Sequence, residues 1–286
     1  MIDLHTHTTA SDGRCAPAEL VARAAAAGVD VLSVTDHDTT AATADASAAC
    51  ASAGIEFVPG IEITAVVDGR DVHVLGYFID PASTPLAAFL DEQRGRRLAR
   101  VRQIVDRLKA IGIVLDAEAV LRPARDDTSK AAGRPWVARA LVAAGHAAST
   151  KDAFDRFLVP GKPAFVPRIG PSPADVLARV HASGGIASLA HPGLLVRDEL
   201  IPLFARAGLD ALEAHHSKHT SEDTDRYLAL ANQYGLAVTG GSDYHAEPSH
   251  DLGGPGSVSL PPEAFQTLKD RCAARRATAS GDATSS

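Results

Sequence analysis

Short apolar segments alternate with amphipathic and alanine-rich segments along most of the chain. The apolar segments are rich in β-branched residues and predict strands at residues 2–4, 29–34, 55–58, 61–67, 72–78, 186–190, 209–214 and 236–239. Helices are predicted between them at residues 17–27, 41–53, 172–183, 198–207 and 221–234. The turn Asp68-Gly69 joins two strands as a hairpin. This alternation predicts an α/β fold with a parallel sheet, either open or closed into a barrel.

The alternation stops between residues 83 and 167. This segment has few strand signals and predicts helices at about residues 85–111, 134–144 and 151–157. We therefore expect a core domain made of residues 1–82 and 168–276, with residues 83–167 as a helical insertion that covers the active site. A basic run from Arg94 to Lys109 is typical of a solvated helix face, with a phosphate-attracting wall as the alternative. Residues 277–286 are small and polar and are expected to form a disordered tail.

Composition and charge exclude several classes of protein. The net charge of −7 argues against a protein that coats nucleic acid, which would be broadly basic. Cys15, Cys50 and Cys272 are odd in number and far apart, so neither a disulfide framework nor a cysteine-rich zinc site is indicated. No secretion signal and no membrane-length apolar run is seen. We expect a cytoplasmic protein whose partners include neither a membrane nor stable duplex nucleic acid, and we make no prediction of its oligomeric state.

Histidine and acidic side chains follow the predicted strands at their carboxyl ends. The residues in these positions are His5, His7, Asp36, His37, Asp38, Glu62, His191, Glu213, His215, His216, Asp243 and His245. His73 lies on the return strand of the hairpin. In a parallel barrel all these strand ends converge on one face, which is where such barrels place their chemistry.

Each of these motifs has an ordinary explanation when it is taken alone. His5 and His7 could be two solvent-facing loop histidines, and Asp36 with Asp38 could cap a helix. The whole set is different, because burying six of the 12 histidines together with three or four carboxylates would be very costly without a cation. Metal ions supply the missing positive charge, and a mixed imidazole and carboxylate set suits Zn, Mn or Fe.

The order and spacing of the motifs match a known family. They are His5-Thr6-His7 with Ser11-Asp12-Gly13, Thr35-Asp36-His37-Asp38, Gly60-Ile61-Glu62, His73-Val74-Leu75-Gly76, Ala190-His191-Pro192 and Gly241-Ser242-Asp243-Tyr244-His245. Over residues 1–80 and 170–255 the sequence resembles the PHP family, named for polymerase and histidinol phosphatase. The resemblance implies a distorted TIM-like (β/α)7 barrel and a metal-dependent phosphoric ester hydrolase.

The resemblance also implies a role for each motif residue. The first metal would be held by His5, His7, Glu62 and Asp243, the second by Glu62, His73 and His191, and the third by Asp12, His37 and His245. A hydroxide between two metals would attack phosphorus, with His191 and Asp243 as the catalytic ligands that position it. We expect two or three divalent ions, with manganese first and zinc or iron as alternatives. Asp38 would orient one of the imidazoles.

The insertion resembles that of a subgroup of small PHP phosphoesterases that act on nucleotides. The matching segments include Gly133-Arg134-Pro135 and the run from Gly161 to Pro167. In this subgroup Arg134, Lys162 and Arg168 would neutralise phosphate charge, and His216 and His219 are weaker candidates for substrate contacts. Trp136 stands where the subgroup often has histidine, and we expect it to pack in a core rather than stack on a base.

The expected reaction is hydrolysis of a nucleotide phosphomonoester, either of a 3',5'-nucleoside bisphosphate or of a nucleoside monophosphate. A 5'-3' exoribonuclease acting on short RNA and a histidinol-phosphate phosphatase are the alternatives within the same chemistry. Barrel amidohydrolases also begin with His-x-His, but no lysine lies at a strand end in the appropriate region. A non-catalytic metal-binding module belongs to a different class, and the complete ligand set argues against it.

Overall fold

A computed structural model describes residues 1–248 and 250–283 of the chain. Its strands are β1 (Ile2–Asp3), β2 (Val31–Val34), β3 (Glu56–Val67), β4 (Arg70–Tyr77), β5 (Ile186–Leu189), β6 (Ala211–His216) and β7 (Ala237–Gly241). Within this described part they form one seven-stranded sheet, in which the spatial order equals the order in the sequence.

Backbone hydrogen bonds between the first and last strands nearly close this sheet into a barrel. Leu4 donates its N–H to the carbonyl of Gly240 at 3.2 Å, and Asp243 donates to the carbonyl of His5 at 2.8 Å. Neighbouring strands are parallel except at β4, which runs antiparallel to both β3 and β5. The hairpin therefore distorts the barrel, and the predicted α/β barrel of this type is confirmed.

One long strand, β3, replaces the two strands predicted at residues 55–58 and 61–67. Its first four residues pair with β2, and Gly60 to Val67 pair with β4 on the other side. The sequence suggested a break because Pro59 has no N–H to donate and Gly60 follows it. The strand continues because its hydrogen-bonded neighbour changes from β2 to β4 between Pro59 and Gly60.

The helices in chain order are α1 (Pro17–Ala26), α2 (Thr43–Ala53), α3 (Thr84–Ala110), α4 (Ala117–Asp126), α5 (Arg134–Ala143), α6 (Thr150–Ala153), α7 (Pro173–Ala182), α8 (Pro192–Leu195), α9 (Ile201–Arg206), α10 (Ser221–Gln233) and α11 (Pro262–Ala283). A single π-helical turn, Phe154–Leu158, continues α6. Two of them, α7 and α10, begin with a capping box, in which Ser172 and Thr220 each pair with an aspartate three residues later.

The segment inserted between β4 and β5 has a hydrophobic core of its own. Its members include Val101, Ile104 and Leu108 from α3 together with Trp136 and Leu141 from α5. The first half of α3 instead packs on the barrel, where Leu86, Phe89 and Leu90 join the cluster that contains Ile61 and Ile63 of β3. The helix α3 therefore packs on both the barrel and the inserted segment, because one face of its N-terminal half covers the sheet.

Trp136 is buried in the insertion core, as the sequence analysis expected. Its indole N–H donates to the carbonyl of Ser11 at 2.8 Å, which satisfies the one polar atom of the side chain. The bond also connects the insertion to the loop after β1. Trp136 therefore acts as a packing residue.

The C-terminal helix α11 extends further than the sequence predicted. It runs through Ala283 and so includes residues 277–283, which were expected to be disordered. Residues 284–286 of the predicted tail lie outside the described part of the chain. The helix is anchored on the barrel by Phe265, Leu268 and Cys272, and an anchored helix propagates readily into alanine-rich sequence. No helix in residues 1–248 and 250–283 combines the length and apolarity needed to span a membrane.

Candidate metal centre

The nine predicted ligands converge at one end of the barrel. Their side chains form overlapping groups, in each of which the potential ligand atoms lie within 4.8 Å of one another. The residues are His5, His7, Asp12, His37, Glu62, His73, His191, Asp243 and His245. Most follow the carboxyl ends of strands, whereas Glu62 and His73 lie within the strands β3 and β4. The structure therefore brings the nine side chains together, and their role as metal ligands stays a prediction.

Glu62 lies at the centre of the group and is 1% exposed. Its Oε2 atom is 3.4, 3.3 and 3.1 Å from ring nitrogens of His5, His7 and His37. Its Oε1 atom is 2.8 Å from His73 Nδ1 and 3.1 Å from His191 Nε2. Burial opposes ionisation of this carboxyl, yet the surrounding imidazoles hold its pKa well below the usual range. A carboxylate placed in this way can bridge two cations.

Asp243 and Asp12 complete the acidic part of the centre. Asp243 Oδ1 is 3.4 Å from His5 Nε2 and 3.3 Å from His7 Nε2. Asp12 is 3.6 Å from His37 Nε2 and 3.3 Å from His245 Nε2. Burial would raise the pKa of both carboxyls, but the neighbouring imidazoles hold each pKa well below its usual range.

Unpartnered imidazole nitrogens indicate what the centre requires. Eight buried side-chain polar atoms in the described residues lack a hydrogen bond, and five of them are ring nitrogens at this site. They belong to His7, His37, His73 and His216. Unpartnered buried polar atoms are rare in proteins, so a cluster of them needs a partner. Divalent metal ions fit, because three carboxylates and six imidazoles match the ligand set that transition metals prefer.

Two glycines allow the backbone to approach the ligands closely. A Cβ atom on Gly241 would lie 2.4 Å from the backbone nitrogen of His5, and one on Gly13 would lie 2.5 Å from the carbonyl of His7. Both distances are far inside van der Waals contact. Glycine is therefore required at these two positions for β7 and for the loop carrying Asp12 to pack against the His5-Thr6-His7 segment.

Glu213 positions two of the ligands and was not assigned a role from the sequence. It is completely buried, and it accepts hydrogen bonds from His5 Nδ1 at 2.9 Å and from the His191 backbone N–H at 2.6 Å. The first bond places the His5 proton on Nδ1 and directs the Nε2 lone pair toward Glu62 and Asp243. The second holds His191 in a backbone conformation with a φ of +28°.

Replacing Glu213 with glutamine should weaken metal binding without unfolding the protein. The glutamine oxygen can keep the His191 bond, but its NH₂ group then faces His5 Nδ1 and forces the proton onto Nε2. We expect metal affinity to fall about 10- to 100-fold, as for other residues that orient metal-binding histidines. Competition with a chelating dye measures this, with the exposed Glu222→Gln as the control. Equal affinities in both variants would contradict the positioning role.

Asp38 does not orient an imidazole, contrary to the expectation from its motif. Its carboxylate instead accepts from Arg97 Nε at 2.5 Å and from the Thr64 backbone N–H at 3.0 Å. Arg97 also donates to the Thr64 hydroxyl at 3.1 Å. Asp38 therefore anchors the insertion helix α3 to the barrel beside the metal centre, because its side chain points away from the imidazoles.

Four arginines form a cluster next to the metal centre, and we call Arg97, Arg100, Arg134 and Arg168 the arginine cluster. Their acidic partners are Asp38 and Asp71. Arg134 Nη2 lies 3.1 Å from Asp71, and Arg168 Nε lies 3.3 Å from it. Burial and the neighbouring guanidinium groups lower the pKa of Arg168 to about 10, so it stays protonated at neutral pH. Four cations facing two anions leave this wall with an excess of positive charge.

Arg97 and Arg100 are exceptions to the prediction that the basic run forms a solvated helix face. Their side chains are only 5% and 8% exposed, whereas the adjacent Arg96 has 39% of its side chain accessible. The face of α3 that carries them turns inward because Asp38, Asp71 and the carbonyl of Val166 offer partners there. Arg102, Arg107 and Lys109 are exposed, as a solvated helix face requires, and Arg97 is the member of the run that lines the cavity at the metal centre.

A cavity of about 400 Å³ opens above the metal centre, between the barrel and the insertion. Its lining includes seven of the nine predicted ligands, all except His5 and His7, together with Arg97, Arg134, Arg139, Arg168, Lys151, Lys218, Phe154 and His250. A second cavity of about 380 Å³ adjoins it and shares Asp71, His73, Arg134, His191 and Leu194. Arg134 and Arg168 thus lie where the sequence analysis expected a substrate contact.

Two predicted substrate contacts lie elsewhere. Lys162 is exposed and is absent from the residues that line either cavity. His219 has both ring nitrogens occupied by the backbone, since it accepts from Gly193 N–H at 3.2 Å and donates to the carbonyl of Ala214 at 2.9 Å. The expectation for His219 is therefore wrong: it fixes the turn after His191, because the fold offers its ring two backbone partners.

His216 lies at Asp243 rather than on the cavity wall. The Lys218 backbone N–H donates to His216 Nδ1 at 3.1 Å, so the neutral ring carries its proton on Nε2, which is 3.3 Å from Asp243 Oδ2. Burial lowers the pKa of His216 and favours this neutral form. His216 Nε2 lies near Asp243 without forming a hydrogen bond to it, and the predicted contact of His216 with substrate stays a prediction.

Comparisons with known proteins agree with this geometry. A model of the PHP domain matches residues 3–121. The chain is 36% identical over 268 residues to a 3',5'-nucleoside bisphosphate phosphatase of Chromobacterium violaceum, covering 91% of this chain and 93% of that protein. It is 37% identical over 250 residues to the 5'-3' exoribonuclease Rnm of Salmonella typhimurium, covering 85% of this chain and 84% of the relative.

The fold is also similar to a solved structure. The crystal structure of a protein described as a metal-dependent phosphoesterase from Bifidobacterium adolescentis superposes with a TM-score of 0.86 at 32% identity. The alignment covers 94% of this chain and 95% of that one. The same family assignment follows from the set of candidate ligands, from the barrel, and from the similarity to relatives along most of their length. The chain belongs to the PHP family and is a metal-dependent phosphoric ester hydrolase.

Proposed function

We propose that the protein hydrolyses a phosphomonoester of a small nucleotide, either a 3',5'-nucleoside bisphosphate or a nucleoside monophosphate. The observation that carries this proposal is the arginine cluster beside the metal centre. Three of its members, Arg97, Arg134 and Arg168, line the cavity apart from the proposed metal ligands. Of the two substrates, the bisphosphate suits such a wall better, because its second phosphate can accept paired hydrogen bonds from a guanidinium group while the first reacts.

The chain offers ligands for up to three metals, in the sets that the family resemblance implied. We propose that two or three divalent ions occupy them, with manganese first and zinc or iron as alternatives. When bound, such ions lower the pKa of water and neutralise phosphoryl oxygens. His191 and Asp243 would be the ligands nearest to the attacking water, and Glu213 keeps His5 and His191 in their binding orientation.

Arg134 is the residue best placed to orient the substrate. It lines both cavities, and its guanidinium is held by Asp71 Oδ2 at 3.1 Å and by the carbonyl of Leu158 at 3.4 Å. A fixed guanidinium loses little freedom when it binds an anion, so it holds a phosphate at a defined distance from the metal centre. Arg168 shares Asp71 and would act on the same phosphate.

A 5'-3' exoribonuclease activity on short RNA is a second candidate. The observation in its favour is that the cavity continues on two sides of His73, His191 and Arg134. A phosphodiester carries a substituent on each side of the reacting phosphorus, and the two connected cavities give room for both. Three relatives at 36–37% identity are named as 5'-3' exoribonucleases.

We also propose a cytoplasmic location, because the three cysteines are free and reducing compartments keep thiols in that form.

The proposal is tested with one panel of substrates. The protein is loaded with Mn²⁺ and given AMP, a 3',5'-nucleoside bisphosphate, a 5'-phosphorylated RNA oligomer and histidinol phosphate, while phosphate and nucleotide release are measured. We expect fastest turnover of the bisphosphate or of AMP, and loss of activity in Asp243→Asn. Faster cleavage of the RNA would favour the second candidate. No release from any compound by a protein that carries its metals would reject the proposed nucleotide substrates.

A further inference from the structure

Lys218 lies on the wall of the cavity and has no role in the reaction described so far. It belongs to the loop between β6 and α10, where the sequence analysis singled out only the neighbouring histidines. Its side chain is 23% exposed and its ammonium lies 3.8 Å from Asp243 Oδ2. Burial lowers its pKa, while Asp243 and Asp251 oppose that shift. The arginine cluster has other partners, so Lys218 is a separate cation at the metal centre.

A chain of hydrogen bonds fixes the direction of this lysine. Lys218 Nζ donates to His250 Nε2 at 2.5 Å, and His250 Nδ1 donates to Asp251 Oδ1 at 3.1 Å. Asp251 is held in turn by the backbone N–H groups of His245 and Glu247 at 3.1 and 2.8 Å. A lysine side chain normally has many rotamers, and immobilising them before a ligand arrives favours binding of that ligand.

The position of Lys218 indicates that an anionic ligand binds at the metal centre, in addition to the Asp243 carboxylate. An ammonium group has no lone pair and cannot bind a metal. If Asp243 holds a cation, as the ligand set indicates, Lys218 lies next to that cation in a partly buried site where repulsion is poorly screened. An anionic ligand placed between the two positive groups removes the repulsion. One N–H of Lys218 is bound to His250, and the other two remain for such a ligand.

We propose that Lys218, held in place by His250 and Asp251, binds an oxygen of the phosphate group that reacts at the metal centre. This inference rests on the proposed function, because it takes the anion to be phosphate. Lys218 binds the reacting phosphate, whereas the arginine cluster binds other negatively charged groups of the substrate elsewhere in the cavity. His250 and Asp251 are positioning residues that act through Lys218.

The test is the binding of inorganic phosphate to the Mn²⁺-loaded protein, measured by calorimetry. Lys218→Met keeps the length of the side chain and removes its charge. We expect phosphate affinity to fall about 10- to 100-fold, as for loss of one hydrogen bond to a charged group, with metal content unchanged. His250→Ala alone should weaken phosphate binding. When it is combined with Lys218→Met, phosphate affinity should be the same as in Lys218→Met alone. Lys269→Met, on α11 next to Glu56, is the matched control and should bind as the wild type does.

Several results would overturn the inference. They are equal phosphate affinity in Lys218→Met and wild type, loss of metal from Lys218→Met, or no phosphate binding by the metal-loaded wild type. If the methionine variant does not fold, Lys218→Gln provides the same comparison. Failure of the proposed function looks different: the wild type would bind phosphate through Lys218 and yet release none from any nucleotide in the panel.

Discussion

Replacing Glu62 with glutamine is expected to reduce phosphoester hydrolysis by about 1000-fold or more, because a metal-bridging carboxylate has no neutral substitute. Both oxygens of Glu62 face imidazoles, three at Oε2 and two at Oε1. Glutamine keeps the volume but offers one neutral acceptor and a donor that faces the wrong way. The measurement is the initial rate on the best substrate of the panel, together with the metal content by mass spectrometry.

The matched control for Glu62 lies on the same strand. Glu56 begins β3, is 52% exposed and lies 3.9 Å from Lys269 on α11. Glu56→Gln should retain full activity and full metal content. If Glu62→Gln were to keep its metals and more than a tenth of the wild-type rate, Glu62 would not be the bridging ligand, and the assignment of the two metals that share it would have to be abandoned.

Replacing Arg97 with methionine is expected to destabilise the protein by about 3 kcal/mol, because it leaves the buried Asp38 carboxylate with only the more distant Arg168, at 3.6 Å, as an ion-pair partner. The Arg97 and Asp38 side chains are 5% and 0% exposed and meet at 2.5 Å. Burial works against the Asp38 charge, and Arg97 is the larger of the two guanidinium influences that keep its pKa low. The free energy of unfolding in urea, measured on the metal-free protein, gives the change.

Two further variants determine whether the loss comes from the unpaired charge. Arg96→Met removes the neighbouring exposed arginine, whose ion pair with Glu92 is solvated, and should change stability by less than about 0.5 kcal/mol. Arg97→Met combined with Asp38→Asn removes both charges and should recover part of the loss. If the double variant were less stable than Arg97→Met alone, the packing of the Arg97 side chain rather than charge pairing would explain the effect.

The metal ligands could be identified from the sequence for a simple reason. A parallel barrel brings the carboxyl ends of its strands to one face, so residues that follow successive strands must meet whatever their separation in sequence. Asp12 and Asp243 are 231 positions apart, and the structure brings both within 3.6 Å of His245. The rule needs only strand positions and residue types, but it does not cover Asp12, which lies in the loop after β1 and was a candidate only through the family resemblance.

The substrate side of the site could not be identified in the same way. Lys162 and His219 were chosen from their motifs, but one is exposed and the other is bound by the backbone. Lys218 and His250 were passed over, although they lie on the cavity wall. These residues come from loops and from the insertion, where no strand rule fixes the direction of a side chain and the packing of the insertion on the barrel decides it.

The sequence by itself predicted the alternation of strands and helices and the candidate ligands at strand ends, because strand periodicity and residue type are local properties of the chain. Its resemblance to the family implied the type of barrel, the full set of nine candidate ligands and the metal-dependent chemistry. The tertiary structure alone decided which charged side chains are buried. Arg97 and Arg96 are neighbours on α3, yet one pairs with Asp38 at the metal centre and the other faces solvent. Glu213 likewise became a positioning residue only through contacts with His5, 208 positions away, and with His191, 22 positions away. Burial and pairing depend on partners distant in sequence, and only the folded chain brings those partners together.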